Sequence, residues 1–195
     1  MRLARKGDVP AVAAALGRAF ADDPVAAYIF PDASHREERL SRFFGVQLLH
    51  NYLPRGEVYT VSDGVAAALW MPPTPLAPRT RDVLAHLRLV PLLSERFLAT
   101  RRLSMLLAAR HPSSRHYYLG TIGTDPARQR RGVGSALLAP VLQRCDADRL
   151  PAYLECSKRE NVEFYGRHGF VVTGEVAAPG GGPPLWLMWR EPATG

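Results

Sequence analysis

The run from His116 to Ser157 constrains the fold more than any other part of the chain. "HYYLGTIGT" (116–124) is β-rich, and "DPARQRRGVG" (125–134) is polar and broken by glycines. Val133, Leu137, Leu138, Val141 and Leu142 then recur at helical spacing, and "AYLECS" (152–157) is β-rich again. This predicts a strand over 116–124, a helix over about 131–147 and a strand over 152–157. Two strands joined through one helix lie parallel in one sheet, with a right-handed crossover. A hairpin would have no use for the intervening helix.

The remaining segments extend this unit to a mixed α/β sheet flanked by helices. A short strand at 2–5 leads into a helix over 9–21, with Asp8 as its cap and Pro10 in its first turn. "DDPVAAYIFPD" (22–32) reads as a turn-rich connector. A helix is expected over 36–52, and two strands joined at Asp63-Gly64 follow, closed by Pro72-Pro73. Residues 79–110 carry helical periodicity broken near Pro91, which gives two helices. After the central unit come a short helix over 160–168 and strands over 170–176 and 185–190. We expect one domain spanning 1–195.

Charge gives a weaker constraint. The formal net charge is +7, which suits an anionic partner. Nearly all of the positive charge is arginine, since Lys6 and Lys158 are the only lysines; this is the signature of a GC-rich coding sequence and discounts the excess. Nucleic-acid binding is therefore not the expected role, and no recognition motif supports it. Cys145 and Cys156 form neither a disulfide framework nor a metal-ligand pattern, so no metal is expected. The basic and then apolar start imitates a signal peptide, but Asp8 and Pro10 interrupt it, and Val9, Val12, Ala13, Leu16 and Phe20 mark an amphipathic helix. No run has the length of a membrane span, and a cytoplasmic protein is expected.

The glycine turn before the central helix suggests chemistry. The first turn of a helix presents amides without intrahelical partners, and the helix dipole adds positive potential there. A phosphate is stabilised at such a place. Gly132 and Gly134 let a ligand approach the main chain, and Arg128, Arg130 and Arg131 add attraction. A Walker loop is excluded, because no Gly-Lys-Ser/Thr follows. A dinucleotide fingerprint lacks its third glycine, although Glu155 stands where a ribose-binding acid would. A third design, Gln/Arg-x-x-Gly-x-Gly/Ala, is met by Gln129, Gly132 and Gly134. From these residues alone an ordinary helix-capping turn also stays open.

The third design resembles the coenzyme A pyrophosphate loop of the GNAT acetyltransferase superfamily. "YLECSKRENVEFYGRHGF" (153–170) matches a second motif of that family, a strand followed by Asn161, Tyr165 and Gly169-Phe170. "AFADDP", "DGVAAALWMPP" and "PAYLECSKRENVEFYGRHGF" are similar to the puromycin N-acetyltransferase type within it. The resemblance implies the acyl-CoA N-acyltransferase fold, acetyl-CoA as co-substrate, a small-molecule amine as acceptor and a monomer or homodimer. It implies that the main chain from Arg130 through Arg131, Gly132, Val133 and Gly134 to Ser135, with Gln129, holds the pyrophosphate. Ile122, Gly123, Thr124 and Asn161 would hold the pantetheine arm, and Tyr165 would protonate the leaving sulfur. The family's usual central-strand base is missing from "HYYLGTIGT". Glu155 is the first candidate for that base and for the acceptor site, and His116 is the second. Tyr28, Phe30 and Trp70 are candidates for the acceptor pocket. Transfer to a protein amine and non-catalytic acyl-CoA sensing are the alternatives.

Overall fold

The computed structural model describes residues 1–73, 93 and 96–193. Seven strands form one sheet: β1 (Arg2–Leu3), β2 (Glu57–Thr60), β3 (Ala66–Met71), β4 (Tyr117–Thr124), β5 (Ala152–Cys156), β6 (Val171–Ala177) and β7 (Pro184–Arg190). Their spatial order is β1-β2-β3-β4-β5-β7-β6. Only β4 and β5 run parallel, and the helix between them makes the expected crossover.

The helices, in chain order, are α1 (Val9–Ala19), α2 (Pro24–Ile29), α3 (Arg36–Gln47), α4 (Leu53–Arg55), α5 (Phe97–Arg110), α6 (Val133–Asp148) and α7 (Arg159–Gly166). Strand alternation divides them between the two faces. Ala66, Ala68 and Trp70 of β3 pack with Leu137, Leu138, Val141 and Cys145 of α6. Ala67 and Leu69 point the other way, into a core with Val12 and Leu16 of α1 and Leu40 and Phe44 of α3. β3 is thus buried on both sides, which is why its sequence lacks a polar face.

Local expectations differ from the structure in three places. The 22–32 connector contains α2. Asp23 is its N-cap, accepting from Val25 N–H at 2.8 Å and Ala26 N–H at 3.0 Å, with Pro24 in the first turn. The same Asp-Pro pair that suggests a turn also starts a helix. Asp8 does not cap α1 with its side chain. It accepts instead from Arg5 N–H and pairs with Arg2, fixing the turn that precedes the helix. The helix expected over 36–52 changes geometry at Leu48–Tyr52, where a wide π turn carries the chain on to α4. Of the helical stretch expected over 79–110, Phe97–Arg110 is helical as α5. Its earlier part, Leu93 and Arg96 aside, lies outside the described residues.

Candidate active site

β4 and β5 pair only through Tyr117–Leu119 and Ala152–Leu154. Beyond that point β4 stays with β3 as far as Thr124, and β5 stays with β7 as far as Cys156. Each strand follows its outer neighbour, so the two diverge and leave a wedge. A bulge adds to the bend. Leu69 pairs with Thr121 and Trp70 with Leu119, so Gly120 is the extra residue.

Both glycines of β4 are explained by close approach, though not to the same partner. A Cβ at Gly123 would lie 2.7 Å from Leu16 Cδ2, so α1 can sit on the strand only because the side chain is absent. A Cβ at Gly120 would lie 1.9 Å from Tyr52 Oη. Tyr52 is a buried phenol whose pKa is raised by burial and then by the charge of Glu155. We expect Gly120→Ala to lower stability by about 1–3 kcal/mol, as overpacking does. Adding Tyr52→Phe should recover part of that loss, because the clashing oxygen is gone; denaturant melts of the two single variants and the pair measure the coupling.

The wedge opens into a cleft of about 810 Å³. Ile122, Gly123 and Thr124 of β4 line it, as do Gln129, Arg130 and Gly132 through Ser135, together with Glu155, Asn161 and Tyr165. Of the residues expected around a coenzyme, only Arg131 lies outside this lining. Local contacts shape the turn at the mouth. Asp125 accepts from Ala127 N–H at 3.0 Å and from Arg18 Nε at 2.6 Å, and the Gln129 side chain donates to Thr124 O at 3.1 Å.

The main chain then enters the left-handed region at Arg130 (φ 60°) and again at Gly132 (φ 76°). Left-handed residues alternating in this way turn neighbouring amides toward a common centre, an anion-binding nest. The Ala136 N–H is the one that meets the Gly132 carbonyl, at 3.0 Å. The amides of Val133, Gly134 and Ser135 stand before it in the first turn of α6, with no intrahelical carbonyl to reach. A Cβ at Gly132 would touch nothing within 4 Å, so backbone conformation and not space calls for glycine there. At Gly134 a Cβ would sit 3.2 Å from the Phe164 ring, which leaves the amide uncovered on the cleft side. These features fit a diphosphate.

Tyr165 borders the same cleft. It is buried, with its ring centroid 5.2 Å from that of Phe164 and 6.0 Å from that of Phe170. Burial, followed by the nearness of Cys156 and Asp23, raises its pKa and keeps the phenol protonated. Burial also pushes the Cys156 thiol up to about 11, and its Sγ donates to Lys158 O at 3.1 Å, so it stays a thiol. Ser157 and Lys158 tie this wall to Asp23 and Asp22 of the α1–α2 connection, each at 2.5 Å.

Glu155 projects from the opposite face of β5, beside Tyr118, whose hydroxyl donates to Oε2 at 2.8 Å. Burial and the carboxylate raise the Tyr118 pKa well above its ordinary value. The Glu155 side chain is 8% exposed. His116 does not border the cleft. It sits at the base of β4, where burial lowers its pKa, with its ring 5.6 Å from Tyr153 and 5.5 Å from Trp189. It reaches Glu155 only through His111, whose Nε2 is 3.1 Å from His116 Nε2 and whose Nδ1 is 3.8 Å from Glu155 Oε1. Tyr52, Tyr118 and His111 were not legible as site residues, because no motif or periodicity links them to Glu155.

The acceptor-pocket expectation fails for all three aromatics. Phe30 and Trp70 are each 1% exposed. Phe30 packs in the α1–α3 core and Trp70 under α6. Tyr28 spends its hydroxyl on Pro179 O at 2.7 Å, away from the cleft.

Residues 70–170 match the acetyltransferase (GNAT) family model. The chain belongs to the GNAT acetyltransferase family. It has the acyl-CoA N-acyltransferase fold and is an acetyl-CoA-dependent N-acetyltransferase. It is 27% identical to the uncharacterized N-acetyltransferase C550.08 of Schizosaccharomyces pombe over 200 residues, 96% of this chain and 81% of that one. The structure of histone acetyltransferase HPA2 and related acetyltransferase from Corynebacterium glutamicum superposes with a TM-score of 0.73 at 29% identity, covering 100% of this chain and 96% of the other. An N-acetyltransferase from Staphylococcus aureus shares the fold, with a TM-score of 0.56 at 16% identity over 96% of this chain and 98% of its own. Among the described residues, no group of His, Cys, Asp and Glu is placed to hold a metal ion, and no helix is long and apolar enough to cross a membrane.

Proposed function

We propose that this GNAT enzyme acetylates a primary amine of a small molecule by direct attack within a ternary complex. The observation that carries this reading is a single cleft with a cationic, amide-rich mouth and a carboxylate on its inner wall. Arg128, Arg130 and Arg167 border the mouth, while Asp22, Asp23 and Glu155 border the cleft from the other elements. The first set attracts a diphosphate and Glu155 an ammonium, while Lys158 and Ser157 already engage Asp22 and Asp23.

Bound acetyl-CoA supplies a thioester-activated acetyl group. The amides from Arg130 to Ser135 would hold its diphosphate, and Asn161 with the free edge of β4 its pantetheine arm. An alkylamine has a pKa near ~10 and must lose a proton before it can attack. Glu155 is the base that removes it. Tyr165 holds a proton at Oη, where the departing sulfur needs one. Its raised pKa makes free donation unfavourable, so the proton moves as the carbon–sulfur bond breaks.

The similarity to the puromycin N-acetyltransferase type favours an aminonucleoside or related antibiotic amine. A second reading, acetylation of a protein amine, draws support from the histone acetyltransferase named in the Corynebacterium glutamicum structure. Thiol release from acetyl-CoA, measured across simple amines, aminonucleosides and histone-tail peptides, tests both. Turnover with small amines and intersecting initial-rate lines support the proposal. Turnover with peptides alone supports the second reading, and parallel lines would replace direct attack with an acyl-enzyme.

A further inference from the structure

We propose that His111 is a proton-relay residue, carrying the proton that Glu155 takes from the acceptor amine out of the cleft and into solvent. This rests on the acetyl-transfer reading above and on Glu155 as its base. A buried base must shed each proton it accepts before the next turnover. Glu155 is 8% exposed on its side chain, whereas His111, at 3.8 Å, is 35% exposed. His111 therefore stands between the carboxylate and water.

The hydrogen bonds around the histidine pair decide which nitrogen of His111 is ready to accept. His116 Nδ1 lies 2.6 Å from Ser114 O. A carbonyl can only accept, so this Nδ1 carries the hydrogen. Burial disfavours the charged form of His116, so its Nε2 is a bare lone pair. His111 Nε2, 3.1 Å away, must then donate to it. A neutral His111 with hydrogen on Nε2 has its lone pair on Nδ1, the atom that faces Glu155 Oε1. Ser114 thus sets the tautomer of His116, which in turn sets that of His111. The ring is braced edge-on against Tyr118 and Tyr153, with centroids 4.9 and 5.0 Å away.

The proton balance is simple. The ammonium gives H⁺ to the Glu155 carboxylate, and the resulting carboxylic acid gives it to His111 Nδ1. The imidazolium, held beside the restored carboxylate, releases it to water. The 3.8 Å gap closes by about 1 Å or is bridged by one water, as catalytic contacts commonly tighten when substrate binds. Among the described residues, the titratable groups facing this path are Glu155 and Tyr153 of β5, Tyr118 of β4, Tyr52 and His116. The burial-raised tyrosines stay neutral and do not compete for the proton.

Two measurements test the relay. In the intact protein, ¹⁵N NMR of the histidine rings should show neutral His111 as the Nε2–H tautomer; the Nδ1–H tautomer would overturn the proposal whether or not an acceptor is known. His111→Ala should lower kcat about 10- to 100-fold, less than loss of a group that touches substrate. Its acetyl-CoA affinity should be unchanged, and added imidazole should restore rate in proportion to its basic form. A merely structural role gives no imidazole rescue, which refutes the relay. Wild-type protein that binds acetyl-CoA but turns over no amine refutes the underlying acetyl-transfer reading instead.

Discussion

Tyr165→Phe is expected to lower kcat about 100- to 1000-fold while leaving acetyl-CoA affinity within about twofold, as loss of a general acid does. The substitution deletes one oxygen and keeps the ring. The contacts with Phe164 and Phe170 that seat α7 against the sheet therefore remain. No hydrogen bond from the Tyr165 hydroxyl to another described residue holds the fold. Its pKa is raised by burial, so it carries its proton throughout the neutral range, and its absence is felt only where a proton must be delivered. Steady-state kinetics, calorimetry with acetyl-CoA and a thermal melt separate the effects. A fall in kcat with affinity and melting temperature preserved is the expected pattern. Unchanged kcat would remove Tyr165 from the reaction and leave it a packing residue.

Gly134→Trp is expected to weaken acetyl-CoA binding at least about 100-fold. The main chain before α6 offers its amides to an anion only while nothing covers them. Gly134 lines the cleft, and even a Cβ there would press within 3.2 Å of the Phe164 ring. An indole has no room on the Phe164 side and must fill the mouth. Loss of two hydrogen bonds to a charged group costs about 3–6 kcal/mol, which is two to four decades in affinity. Gly132→Ala provides a milder comparison. It leaves the mouth open but places a side chain at φ 76°, at a cost of about 1–2 kcal/mol; the unliganded turn relaxes to shed that strain and binding must restore it, so a loss of up to about tenfold is expected. Calorimetry on both variants, beside melts without ligand, distinguishes a blocked mouth from an unfolded protein. Wild-type affinity in Gly134→Trp would place the diphosphate elsewhere.

That the residues proposed to hold the coenzyme line one cleft was legible because their relation is local. Gln129, Gly132, Gly134, Asn161 and Tyr165 act through one turn and one short helix, and spacing along the chain fixes their relation in space. The strand–helix–strand crossover was legible for the same reason, since its helical and β periodicities are properties of consecutive residues. Even there, sequence could not say what Gly123 accommodates. It reads equally as room for a ligand or for a helix, and the structure fills that room with Leu16 of α1.

The surroundings of Glu155 were decided by tertiary structure. Tyr52, His111, Tyr118 and Glu155 come from four separate segments, and the parallel pairing of β4 with β5 sets Tyr118 beside Glu155. The same topology withdrew Phe30 and Trp70 from the cleft. An aromatic side chain reads alike whether it faces a ligand or a helix, and α6 happens to cover the face of β3 that carries Trp70. Sequence thus determined the elements and the glycine turn before α6, where a backbone conformation and its residues are neighbours. Tertiary structure decided which side chains surround Glu155, because that depends on which faces of separate strands the helices leave open.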